Sequence, residues 1–121
     1  MNIIICGAGR VGYTIAKLLS EQNHSLTVID QSSEDIQKIN DGLDVKGIVG
    51  KATYPSVLEK ASATEADMII AVTKNDEINM LICQIAFSMF NIQKKLQGLD
   101  QVIICILSFQ NFIAKKTYLL M

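Results

Sequence analysis

Gly7, Gly9 and Gly12 stand in the run Gly7-Ala-Gly9-Arg-Val-Gly12, and Asp30 follows 18 residues after the last of them. Glycines at this spacing do three different things. Gly7 allows a tight turn, Gly9 lets a bulky anion approach the backbone, and Gly12 lets a helix pack closely on a strand. The anion would rest on unpaired N–H groups at a helix N-terminus, where the helix dipole favours negative charge. Asp30 would accept from ribose hydroxyls and repel a 2′-phosphate. The chemistry this implies is recognition of a dinucleotide, NAD over NADP, by its pyrophosphate and adenosine ribose. The plain alternative is a glycine-rich βα turn that holds no ligand.

Those residues act together only if a strand precedes the glycines and a helix follows them. Asn2-Ile-Ile-Ile-Cys6 is an apolar strand that runs straight into Gly7, and Leu26-Thr-Val-Ile29 is a second strand ending on Asp30. The alternation continues. Ser33-Glu-Asp starts a helix carrying Ile36 and Ile39 that stops near Asp41-Gly42. Val45 to Val49 is a short third strand, and Tyr54-Pro55 opens a helix whose proline sits where a missing N–H does no harm. Met68-Ile-Ile-Ala-Val72 has no polar alternation, as expected of a parallel strand buried on both faces. Strands alternating with helices predict an α/β fold: a single small Rossmann-like domain, its parallel sheet flanked by helices. The expected order is 3-2-1-4, extended by a fifth strand at Val102 to Leu107.

The stretch Asp76 to Phe90 predicts a helix capped by Thr73-Lys-Asn-Asp76, with Asp76 and Glu77 at its positive end. Ile78, Leu81, Ile82, Ile85 and Met89 follow the spacing for packing on the sheet. Met80, Cys83, Phe87 and Phe90 make a second apolar stripe, covered either by the C-terminal segment or by another subunit.

Composition excludes several classes. At 121 residues the chain is one domain at most, and with half its residues hydrophobic it folds rather than staying disordered. A net charge of −1 gives no pull towards nucleic acid or an anionic membrane. Cys6, Cys83 and Cys105 lie far apart in apolar runs and read as reduced core thiols, not metal ligands or disulfides. The apolar run from Val102 falls well short of the roughly 20 residues needed to span a bilayer, so no membrane insertion is expected.

A dehydrogenase would also need groups to bind a substrate and move a proton. His24, the one histidine, lies in the turn before the second strand, far from the strand ends where ligands bind. No Ser-His-Asp constellation or metal spacing appears, so no catalytic residue and no metal site are expected. A cofactor shelf without a substrate site points to sensing rather than turnover.

Several further motifs accompany the glycines: Ile3-Ile-Ile-Cys-Gly-Ala-Gly-Arg-Val-Gly12, Val28-Ile-Asp30, Ile48-Val-Gly-Lys-Ala-Thr53, Pro55-Ser-Val-Leu58, Ala66-Asp-Met-Ile-Ile-Ala-Val-Thr73 and Asp76-Glu-Ile-Asn-Met80. With them, residues 1–95 closely resemble the N-terminal RCK, or KTN, nucleotide-binding domain of the TrkA-type Trk potassium-uptake regulatory proteins. The resemblance implies a cytoplasmic regulator, peripheral at the inner face of the cell membrane. It would bind NAD, NADH or an adenine nucleotide such as ATP or ADP. It would attach to a membrane potassium transporter and self-associate. By matching motifs, Gly7, Ala8, Gly9, Arg10, Val11 and Gly12 form the pyrophosphate loop and Asp30 meets the ribose. Ala52 and Thr53 would lie near the adenine, and Thr73 near the nicotinamide or terminal-phosphate end.

The resemblance stops after Lys95. The family continues with a strand bearing an arginine that reaches the nucleotide, whereas Leu96-Gln-Gly-Leu-Asp-Gln and the residues beyond it contain none. Residues 96–121 therefore read as an atypical tail, from a frameshifted or degraded gene copy or from a shortened partner subunit. Two alternatives to the regulatory reading stand beside it: a small NAD-dependent oxidoreductase subunit, and an inactive truncated remnant.

Overall fold

Strand β1 (Asn2–Cys6) carries four consecutive buried residues, Ile3 to Cys6, and such a run is stable only where a sheet is covered on both faces. It pairs in parallel with β2 (Ser25–Asp30) on one side and with β4 (Met68–Ala71) on the other. β3 (Lys46–Val49) extends the sheet beyond β2, and β5 (Val102–Cys105) extends it beyond β4, both in parallel. The computed structural model describes residues 1–90 and the backbone of residues 102–105 and 118–120. The strand order is β3-β2-β1-β4-β5-β6, with β6 (Tyr118–Leu120) antiparallel at the edge. The 3-2-1-4 core and a fifth strand starting at Val102 match the sequence expectation. Residues 106 and 107 lie outside the described residues, and β6 was not expected.

Alternate side chains of β1 feed two cores. Ile3 and Ile5 pack with Ala16 of α1 (Arg10–Ser20) and with Ile36 and Ile39 of α2 (Ser33–Gly42). Ile4 and Cys6 pack on the other face with Leu58 of α3 (Pro55–Lys60) and Ile82 of α4 (Asp76–Phe90). Each fully buried isoleucine or leucine contributes about 1.5–3 kcal/mol relative to exposure. The result is a three-layer sandwich with α1 and α2 on one face and α3 and α4 on the other. Parallel strands between helices leave all four carboxyl ends, β1 to β4, on one edge, where ligands bind in such folds.

The face that α4 buries differs from the one its periodicity suggested. Asn79, Ile82, Cys83 and Ala86 are buried, while Ile78, Met80, Leu81 and Met89 are exposed. A helix with apolar residues nearly all round carries little information about phase, so a polar Asn79 could turn inward once it found partners. Cys6 is a free, buried thiol, as read from sequence. Cys83 is disulfide-bonded and is not the reduced thiol expected. Wide spacing along the chain does not report which cysteines the fold brings together.

Candidate functional site

The glycine loop joins β1 to α1, and its three glycines answer to different constraints. Gly7 has φ +121°, and a Cβ there would lie 2.8 Å from the Val72 carbonyl oxygen, so both conformation and crowding demand glycine. At Gly12 a Cβ would overlap the Gly7 carbonyl oxygen, which locks α1 against the loop. Gly9 is different. Its φ is −72°, and a Cβ there would meet nothing within 4 Å. The chain itself does not need a glycine at that position; a group approaching from outside would.

Gly9 is also the N-cap of α1, and it leaves that helix end open. It supplies no side-chain cap, and no acid stands in the first turn. The other two long helices are closed: Ser32 Oγ accepts from the Asp35 N–H at 3.2 Å, and Asn75 Oδ1 accepts from the Ile78 N–H at 3.0 Å. Both also carry acids in the first turn. The first-turn N–H groups of α1 thus keep their positive end unanswered, which suits an anion.

Asp30, at the end of β2, points at this loop. Its Oδ2 accepts from the Ala8 N–H at 2.7 Å, and its Oδ1 accepts from the Ser32 N–H at 2.8 Å. Each carboxylate oxygen still has a lone pair for a ribose hydroxyl. The Ala8 N–H, expected at the pyrophosphate, is spent on holding the loop to β2.

Opposite Asp30, across β1, the loop after β4 is held by a residue whose role the sequence did not disclose. Asn79 Oδ1 accepts from the Thr73 N–H at 2.8 Å and from the Thr73 hydroxyl at 2.6 Å, while its Nδ2 donates to the Thr73 carbonyl at 3.1 Å. Its only outward signal was its place in the Asp76-Glu-Ile-Asn-Met80 motif.

These segments enclose a cavity of about 840 Å³ at the carboxyl edge of the sheet. Gly7, Gly9, Arg10, Val11, Asp30, Ala52, Thr53 and Thr73 line it together. Ala8 and Gly12 do not; both are buried behind the loop. Lys51 and Lys74 add cations, Asp35 and Asp76 add carboxylates, and Ile78 and Leu81 add an apolar wall. Sequence reasoning had given none of these six a place in the site. Lys51 lies over the Tyr54 ring, 5.7 Å from its centroid.

Tyr13 and Lys17 stand four residues apart, the spacing of a Tyr-Lys acid/base pair. Both lie on α1 away from the cavity, with the Tyr13 hydroxyl beside Gly42 of α2. His24 stands at the other edge of the sheet, its Nδ1 3.4 Å from the Met1 amino group. Burial pushes the Cys6 thiol up to about 12, so it is protonated and unreactive in the fold.

The family model for the TrkA-N domain matches residues 3–106. The chain belongs to the TrkA-N domain family. The match includes β5 and continues past Lys95. The Trk system potassium uptake protein TrkA of Azorhizobium caulinodans is 45% identical over 95 residues, which are 78% of this chain and 21% of that protein. The chain thus spans about a fifth of the length of this protein and of the Vibrio alginolyticus TrkA protein. Among solved structures, the Shewanella denitrificans Kef CTD in AMP-bound form is 26% identical with a TM-score of 0.66, covering 75% of this chain and 54% of that one. The GsuK channel bound to NAD shares the fold at a TM-score of 0.65 and 24% identity, over 73% of this chain and 16% of that one.

Proposed function

We propose that this chain is a nucleotide-binding regulatory domain of a potassium-uptake system, a sensor and not a catalyst. The observation that carries the reading is Gly9: a glycine the fold does not require, at the uncapped start of α1, beside Asp30. NAD, NADH, ATP or ADP would lay its phosphates over Gly9 and Arg10 and its ribose on Asp30, with the adenine towards Ala52 and Thr53. An adenine nucleotide in the Kef relative supports the ligand class, and the TrkA relatives support the potassium-uptake context. A ligand that binds two conformations unequally shifts their balance, and a transporter coupled to those conformations responds.

The same reading places the chain in the cytoplasm at the inner membrane face, joined to a potassium transporter and self-associating. Among the described residues no helix is long and apolar enough to cross a membrane. The exposed α4 side chains Met80 and Met89, outside the cavity, offer a surface for self-association. In this proposal residues 1–95 carry the nucleotide site, and the 96–121 segment, which the family match enters as far as residue 106, adds β5 and β6 to its sheet. The TrkA relatives favour sensing over an oxidoreductase subunit.

Calorimetric titration with NAD, NADH, ATP, ADP and AMP tests the ligand. Gly9→Asp is the decisive variant. Aspartate is a good N-cap, so it preserves α1, yet it puts a carboxylate where the phosphate would sit. Saturable binding in the wild type that Gly9→Asp abolishes is the expected result. Absence of any binding, or binding indifferent to both Gly9→Asp and Asp30→Ala, would remove the proposal.

A further inference from the structure

We propose that Asn79 is a positioning residue that sets how well the cavity holds ligands long enough to reach the β4 edge, while leaving the β2 side untouched. The inference rests on the nucleotide reading of the cavity.

Asn79 is the one buried polar side chain among the described residues, with none of its surface exposed. An amide taken out of water is tolerated only when its donor and acceptor are met. The bonds described above all go to Thr73. The amide cannot turn over, because the Thr73 N–H demands an acceptor and the Thr73 carbonyl demands a donor. An apolar side chain would avoid the cost of burying polar atoms, so packing alone does not explain asparagine here. Three of the amide's bonds fix Thr73.

Thr73 begins the short wall that runs through Lys74 to Asn75, all three of which line the cavity. The Thr73 Oγ1 in turn accepts from the Asn75 N–H at 3.2 Å, and the Asn79 N–H donates to the Asn75 carbonyl at 3.0 Å. The wall is therefore tied to the first turn of α4 at both its ends. Asp30 stands on the far side of β1. Two strand spacings separate the ends of β2 and β4, about 10 Å. A mononucleotide with its ribose on Asp30 and its phosphate over Gly9 uses only the β2 and β1 ends. A dinucleotide must continue across to Thr73.

The test is the ratio of NAD to AMP affinity, measured by calorimetry on the full chain. Asn79→Leu is expected to weaken NAD about tenfold while AMP changes less than about twofold, since only one ligand meets the released wall. Thr73→Val removes the hydroxyl's bonds to Asn79 and the Asn75 N–H but keeps the two backbone bonds from Thr73 to Asn79, and is expected to shift the ratio in the same direction by less. Thr73→Ser restores the hydroxyl and is expected to restore the ratio. General loosening of the fold would lower both affinities together. Equal losses, an unmoved ratio, or a wild type that binds AMP and not NAD each overturn the role of Asn79. If Asn79→Leu does not fold, the Thr73→Val and Thr73→Ser pair decides by the same criterion. A wild type that binds neither nucleotide overturns the underlying nucleotide reading instead, so the two failures are told apart.

Discussion

Asp30 holds the glycine loop and faces the cavity with one carboxylate. Its bonds to the Ala8 and Ser32 N–H groups exist without any ligand. Asp30→Ala is therefore expected to lower the stability of the free protein by about 1–3 kcal/mol, because two backbone donors lose a charged acceptor. Urea denaturation without nucleotide measures this; an unchanged midpoint would limit Asp30 to ligand contact. The glycines separate in the same way. Gly12→Ala drives a methyl into the Gly7 carbonyl and is expected to cost about 3 kcal/mol or more. Gly9→Asp is expected to leave the midpoint unchanged or raise it by up to about 1 kcal/mol. Spacing already assigned the three glycines different jobs. The neighbours around each show that a Cβ would clash at Gly7 and Gly12 and meet nothing at Gly9.

At the scale of the element, α4 shows where periodicity stops being informative. Its length and start were legible, from a capping segment Thr73-Lys-Asn-Asp76 to Phe90, and the structure names Asn75 as the cap. Its buried face was not, because apolar residues at nearly every position satisfy several phases equally. The structure chooses the phase that buries Ile82 and Asn79. Ile82→Ala is accordingly expected to destabilise by about 2–5 kcal/mol. Met89→Ala, 59% exposed, is expected to stay within about 0.5 kcal/mol. Thermal unfolding followed by circular dichroism compares them, and similar losses would mean that the helix buries both sides. Helix α2 is the simpler case: Ser32→Ala removes its cap and is expected to cost about 1 kcal/mol.

The molecule as a whole reports on Cys6, which lies at the centre of the sheet with its thiol raised from 9.0 to about 12. The unfolded chain releases this proton above pH 9 while the folded chain keeps it. Stability from this group is therefore fully present below pH 9 and is lost as pH rises towards 12, with a slope of about 1.4 kcal/mol per pH unit. Cys6→Ala should flatten that slope in urea titrations between pH 8 and about 10.5; an equally steep fall in the variant would assign it to other groups. Ligand linkage acts at the same scale. A nucleotide at a hundred times its dissociation constant should stabilise a single cooperative transition by about 2.7 kcal/mol. A broad, non-cooperative transition would favour the inactive remnant instead. Sequence by itself determined the order of strands and helices, the parallel sheet and the glycine loop with Asp30. These depend on local periodicity, turn chemistry and the right-handed crossover rule, all of which are written along the chain. Tertiary structure alone decided that Gly9 is free of the fold, that Ala8 is tied to Asp30, that α4 turns Asn79 inward and that Cys83 is bonded. Each of these is a contact between residues distant in sequence or a choice among equivalent helix faces, and only the packed chain supplies the neighbour that settles it.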